Sequence, residues 1–279
     1  MPDAAAAPVP TVALLDGGLI PSVGLGVYKV SEDDAERVVV AALDSGYRHV
    51  DTAEMYGNEA GVGRALRASV LPRDQVFVTT KVWNTHQGFD ATLRAFDASL
   101  GRLGLDRVDL YLIHWPAATN DRYVDTWRAL GRLYEEDRAA SIGVSNFQIP
   151  HLERLIGETG VIPTVNQVER HPWLPQRELL AFHAEHGIVT EAWSPLGRGR
   201  LIDERSLVRI AAKHAVSVAQ VLVRWNVQQG VVVLPKSVTP GRIAANIDVM
   251  GFALDEEDLA AITALENGQR TGSHPDTVS

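Results

Sequence analysis

From Val23 onward the chain alternates short apolar runs with longer stretches whose apolar residues recur every three to four positions. The runs VGLGV (23–27), RHVD (48–51), VFVTTKV (76–82), VDLYLIH (108–114), IGVSN (142–146), TVNQV (164–168), IVTEAW (188–193) and GVVVLPKS (230–237) read as buried strands. Between them the pattern predicts helices. SEDDAERVVVAALDSG (31–46) is the clearest, with a serine cap, an acidic first turn and a glycine stop. Others are predicted to begin near Asn58, Phe89, Tyr123, Pro150, Pro175, Asp203 and Pro240, and DEEDL (255–259) reads as one more first turn. Strands covered on both faces lose the in–out alternation of a half-exposed sheet, so these runs indicate a parallel one. Eight units of about 35 residues match the size of a βα repeat.

Ahead of the first unit, Thr11–Leu14 and Leu19–Ile20 flank Asp16-Gly17-Gly18, the signal of a hairpin. Residues 1–10, rich in Ala and Pro, are expected to be a flexible arm, and residues 11–279 a single (β/α)8 barrel domain. A doubly wound sheet would carry G-x-G-x-x-G after its first strand. Here Gly24-Leu25-Gly26 has no third glycine, and Gly61-Val62-Gly63 is followed by Leu66 at that place. No Pro/Gly/Ser linker divides the chain.

Composition narrows the function. The 279 residues include no cysteine, which excludes disulfides, thiolate metal sites, iron–sulfur clusters and a cysteine nucleophile. A net charge of −9 disfavours nucleic acid and anionic membranes as partners. No apolar run approaches the roughly 20 residues of a membrane span, and MPDAAAAPVP lacks the basic start of a signal peptide. A cytoplasmic monomer acting on a small molecule is expected. His183 and His186 have a spacing that can bind metal, but without a third ligand they are assigned to a solvated helix face, and no metal site is expected.

Barrel enzymes carry their chemistry at the C-terminal ends of the strands. Those ends bear Asp51, Lys81, His114, Ser145-Asn146, Gln167, Trp193-Ser194 and Lys236-Ser237, with Tyr56 five residues beyond Asp51. Taken singly, Lys81 could be a structural ion-pair partner, His114 a rim histidine and Asp51 a helix cap. On adjacent strands, Asp51, Lys81 and His114 can converge on one point. Such a group permits proton donation: an ammonium from Lys81 would lower the pKa of Tyr56, Asp51 would hold the lysine, and His114 would orient a carbonyl. Ser145 has no base beside it in sequence.

With these residues in this order, the sequence resembles the aldo-keto reductases, and among them the bacterial 2,5-diketo-D-gluconate reductase type. GYRHVDTAEMYGNEAGVGRAL (46–66), VDLYLIHWP (108–116) and VVVLPKSVTPGRIAANI (231–247) carry the resemblance, with GVSNF (143–147) and WSPLGRG (193–199) in support. It implies an NADPH-dependent carbonyl reductase in which Tyr56 is the general acid, Lys81 its tuner, Asp51 the partner of the lysine and His114 the carbonyl orienter. By the same resemblance Ser145, Asn146 and Gln167 hold the nicotinamide carboxamide and Trp193 stacks on the ring. Ser194, Leu196 and Gly197 cover the pyrophosphate, and Gly26, Val27, Tyr28 and Asp51 border the cofactor. Lys236, Ser237, Val238 and Arg242 meet the adenosine 2′-phosphate, and Asn246 the adenine. Two cations and a hydroxyl at a helix N-terminus also suit an anion on physical grounds. Ala245 replaces a glutamate common in the family, so NADPH is expected first and NADH second. Tyr28, Trp83, His114 and Trp115, with Met55 and the tail around 267–274, would line the substrate pocket. The short loop between Trp115 and Tyr123 leaves that pocket open, which suits small aldehydes, dicarbonyls and keto sugars. Two other readings are a redox-sensing binding subunit, like the potassium-channel β subunits that resemble this family, and a Schiff-base enzyme using Lys81. An ion-paired lysine is a poor imine former.

Overall fold

The computed structural model describes residues 9–279, so the first eight residues of the expected arm lie outside the described residues. A hairpin of β1 (Thr11–Ala13) and β2 (Leu19–Pro21) comes first, and Gly18 N–H donates to Asp16 Oδ1 in its turn. Eight parallel strands follow: β3 (Leu25–Gly26), β4 (His49–Asp51), β5 (Phe77–Val82), β6 (Val108–Ile113), β7 (Ala139–Ser145), β8 (Val165–Glu169), β9 (Val189–Trp193) and β10 (Val232–Leu234). Each pairs with the next in chain order. Val23 bridges to Val233, and Gly24 N–H donates to the Val233 carbonyl, which brings the last strand back to the first.

Among the described residues ten α-helices surround the strands: α1 (Glu32–Asp44), α2 (Glu59–Ala68), α3 (Phe89–Leu103), α4 (Tyr123–Glu135), α5 (Ile149–Thr159), α6 (Arg177–His186), α7 (Arg205–His214), α8 (Val218–Val227), α9 (Pro240–Ile247) and α10 (Glu256–Thr263). The first behaves as its sequence predicts. Ser31 Oγ accepts from Asp34 N–H, acidic residues fill the first turn, and Val38, Val39, Ala42 and Leu43 are buried. Beyond Asp203 the structure differs from the single predicted helix, since α7 and α8 meet at 87°. Ala215 takes a left-handed turn at φ 56°, and Ser217 restarts the helix through a capping box with Gln220. That S-x-x-Q spacing is legible in the sequence. The bend lets Leu207, Ile210, Val221, Leu222 and Trp225 share one cluster with Ile262 of α10. No single helix among the described residues is long and apolar enough to cross a membrane.

The period of two along each strand explains how the barrel interior is layered. At the floor, Leu110, Leu112, Val165 and Val232 pack with Phe77 and Val189, and the hairpin closes them off with Leu14 and Ile20. Two or four residues further along the same strands stand Thr79, Lys81, Gln167, Glu169, Glu191 and Trp193. Gly24 is required beside this layer, because a Cβ there would lie 2.5 Å from His49 Nδ1.

Candidate active site

Asp51 ends β4 and Lys81 lies near the end of β5, both buried. Lys81 Nζ donates to Asp51 Oδ1 at 2.8 Å, to Asp51 Oδ2 at 2.7 Å and to the Thr52 carbonyl at 2.9 Å. All three ammonium hydrogens therefore have acceptors. Burial pushes the Asp51 carboxyl upward, and the Lys81 charge and the Gln167 amide pull it back.

Tyr56 sits in the short helical turn Glu54–Tyr56 that follows β4. Lys81 Nζ is 5.2 Å from its ring centre. Burial, then the negative charge of Asp51, holds the hydroxyl well above the ordinary tyrosine range. The lowering expected from Lys81 is outweighed: the ammonium is bound to Asp51, and desolvation of a phenolate dominates. His114 follows β6, with its ring 5.5 Å from that of Tyr56 and 5.0 Å from that of Trp83. Burial, with the Lys81 charge in support, pushes the imidazole well below its usual range, so the ring is neutral and carries one N–H. Its Nδ1 has no hydrogen-bond partner in the protein. Tyr28, 5.1 Å from Tyr56, extends the aromatic wall outward. Trp115 is half-buried, and its carbonyl accepts from Gln87. Met55 is exposed at the rim.

The residues that the resemblance gives to a nucleotide lie at the ends of β7 to β10 and in the segments that follow them, with Gly26 ending β3 and Val27 and Tyr28 just after it. Ser145 Oγ donates to the Gln167 carbonyl, and Asn146, at φ 65°, donates from Nδ2 to the His114 carbonyl. Trp193 Nε1 donates to Asn146 Oδ1 at 2.8 Å, which fixes the indole plane. Ser194 and Gly197 both have positive φ in the turn that follows β9, with Leu196 half-buried between them. Across the mouth, Val27 N–H donates to the Asp51 carbonyl and Gly26 N–H to the Pro235 carbonyl. At the far end Lys236 and Arg242 are exposed, with no ion-pair partner among the described residues, and Ser237 Oγ accepts from Thr239 N–H just before α9. Asn246 is buried on α9. Two cations and a hydroxyl beside a helix start are, in their chemistry, a donor set that suits a phosphate.

Several functional-looking residues escaped the sequence reading. Arg37 of α1 donates to the Val238 carbonyl and so braces the cationic segment. Glu169, buried at the end of β8, accepts from the backbone of Thr271 and Gly272 and from the Thr271 hydroxyl. This ties the tail over the site, and Gly272 packs so close to Trp193 that a Cβ would lie 2.4 Å from the indole. The tail thus reaches Trp193 through an anchor that the sequence does not advertise. Gln167 Nε2 donates to both Asp51 Oδ2 and Glu191 Oε2, joining a second buried carboxylate to the first. The inward period of IVTEAW was the available signal for Glu191. His183 is a correction: it is buried, bonded to Asn166 and Thr190, and driven to a pKa of about 4 chiefly by burial, so it does not face solvent. No group of residues that could hold a metal ion occurs among the described residues.

Comparison with known proteins places this arrangement. The model of the Aldo/keto reductase family matches residues 22–267. The chain is 55% identical over 268 residues to an aldo-keto reductase of Mycobacterium sp. (strain KMS), covering 96% of this chain and 97% of the relative. It is 50% identical to the glyoxal reductase of Bacillus subtilis (strain 168), over 95% of this chain and 96% of that protein. The methylglyoxal reductase DkgA of Yersinia pestis is 49% identical, with 96% of each chain covered. A solved structure of a Gox0644 variant in complex with NADPH superposes with a TM-score of 0.94 at 45% identity, covering 98% of this chain and 100% of that one. The chain belongs to the aldo/keto reductase family.

Proposed function

We propose that residues 11–279 work as one NADPH-dependent reductase of small carbonyl compounds, with aldehydes and α-dicarbonyls such as methylglyoxal first and keto sugars next. The observation that carries this is the convergence of Tyr56, His114 and the Asp51–Lys81 pair under an aromatic wall at the barrel mouth. The reductases of glyoxal and methylglyoxal among its relatives support the substrate class, and the NADPH complex of a structural neighbour supports the cofactor.

When bound, NADPH supplies the hydride for the carbonyl carbon. Trp193, held by Asn146, offers a flat face for the nicotinamide, and Ser145, Asn146 and Gln167 would hold its carboxamide. Lys236, Ser237 and Arg242 hold the 2′-phosphate, with Asn246 at the adenine. His114, neutral, donates a ring N–H to the carbonyl oxygen and orients it. Tyr56, kept protonated by its surroundings, then gives its proton to that oxygen as negative charge develops there. The Lys81 ammonium stabilises the phenolate left behind, and Asp51 keeps the ammonium in place. The aromatic wall of Tyr28, Trp83 and Trp115 selects small carbonyl compounds by shape.

The test is NADPH absorbance against a panel of aldehydes, dicarbonyls, keto sugars and a steroid ketone, with wild type and Tyr56→Phe. Consumption that needs both protein and carbonyl, reduced about 10²–10⁴-fold in the variant while NADPH still quenches tryptophan fluorescence, is expected. Full turnover by Tyr56→Phe would remove Tyr56 as the acid. Faster turnover of the steroid than of methylglyoxal would overturn the substrate class. Tight NADPH binding without turnover would favour the sensor reading.

A further inference from the structure

Glu191 is fully buried inside the barrel. Its Oε2 accepts from Gln167 Nε2 at 2.5 Å, and the same amide nitrogen donates to Asp51 Oδ2 at 2.8 Å. Its other oxygen, Oε1, has no hydrogen-bond partner and faces His49 Nε2 at 3.7 Å. That imidazole cannot supply a counter-charge: burial first, then Lys81, lowers it to about 3, and its Nε2 is paired with Thr79 Oγ1. Lys81 gives Glu191 no hydrogen bond, because Asp51 and Thr52 take all three of its hydrogens, and its charge, acting only through space, is outweighed by burial and by Asp51. The neighbours of Glu191 in register, Gln167 on β8 and Val232 on β10, are uncharged. Around Lys81, Asp51 and Glu191 are therefore two carboxyl groups for one cation. Asp51 has the cation, and an ionised Glu191 would be a buried charge with a bare oxygen.

We propose that Glu191 is a positioning residue that holds a proton inside the barrel, its neutral carboxyl and Gln167 together fixing Asp51, and through Asp51 the lysine beside Tyr56. This rests on Tyr56 being the proton donor. Burial, with the charge of Asp51 added, pushes Glu191 from 4.5 up to about 8. Above that pH a second anion appears in the layer, and its field raises the proton affinity of Tyr56 further. Carbonyl reduction should then fall on the alkaline side because of Glu191. The folded-state value is raised, so its contribution to stability is fully present below about 4.5 and is lost as pH rises through about 8.

The experiment compares wild type, Glu191→Gln and Glu191→Ala. The infrared spectrum of the wild type near neutral pH should contain the C=O band of a buried carboxylic acid, absent in Glu191→Gln and lost in the wild type on alkaline titration. Glu191→Ala should lower kcat about tenfold with little change in the KM for the carbonyl, and Glu191→Gln should recover most of that loss. In Glu191→Gln the alkaline fall of kcat should move upward, and its melting temperature should rise relative to wild type between pH 4.5 and 8. Absence of the acid band near neutrality, or an unchanged alkaline limb in Glu191→Gln, overturns the proposal. If Glu191→Ala does not fold, these two measurements decide it. Retained turnover by Tyr56→Phe would remove the donor on which the proposal rests, whereas the infrared band would stand, so the two failures are distinguishable.

Discussion

The floor and the mouth of the barrel are built by the same strands, two to four residues apart, and they solve burial in opposite ways. At the floor Leu110, Leu112, Val165 and Val232 need only contact, which the hairpin residues Leu14 and Ile20 complete. At the mouth Asp51, Lys81, Gln167 and Glu191 are as deeply buried, yet nearly every polar atom there has an assigned partner. Apolar packing is non-directional and tolerates exchange of shapes. A buried ionic network is directional, and removal of one member strands another. The mouth is thus the fragile layer, and the floor the source of stability that lets it persist.

The sharpest way to break the contrast is Lys81→Met. Loss of the ammonium leaves Asp51 a buried, unpaired carboxylate, and a loss of about 3–5 kcal/mol in unfolding free energy is expected, together with loss of turnover. Adding Asp51→Asn to that variant should return most of the stability and none of the activity. Denaturant melts of the single and double variants measure this, and an additive double variant would mean that the pair does not act as a unit.

Leu112→Ala probes the floor. A cavity there should cost about 2–5 kcal/mol. The kcat of the folded fraction should stay near that of wild type, since Leu112 neighbours Lys81 in strand register but takes no part in its hydrogen bonds. A large fall in kcat, with stability unchanged, would show that the two layers are not separable.

A smaller effect is expected outside both layers, at the exposed cationic segment. Lys236→Ala should weaken NADPH by about 1.5–3 kcal/mol, the worth of a charge-assisted hydrogen bond, and leave NADH and the melting temperature almost unchanged. Titration of both cofactors by fluorescence reads this difference. Equal losses for the two would remove the 2′-phosphate assignment of Lys236.

How much of this was legible in the sequence follows from the range of each cause. The eight strands and most helices were readable because hydrophobic periodicity, serine and glycine caps and turn signals act over a few neighbouring residues. Asp51, Lys81, His114, Gln167 and Trp193 were readable as site candidates because a parallel barrel delivers the ends of its strands to one face, whatever the helices do. The break at Ala215 between α7 and α8 was missed although its capping box was present, since the apolar pattern runs on across it. His183 was misread because one helix face shows its spacing but not which face packs inward, and it is β8 and β9 that bury this histidine.

What the sequence determined by itself was the barrel, the order of its strands and the identity of the groups at its mouth, because these rest on local pattern and on motifs of adjacent residues. What only the tertiary structure decided was their state: a tyrosine held neutral, a histidine without charge, a glutamate beside an aspartate, and a tail tied to Glu169 across Trp193. Those states depend on desolvation and largely on neighbours far along the chain, such as Gln167 and Asp51, separated by 116 residues. Only closure of the barrel brings such groups within 3 Å and removes the water that would otherwise screen them.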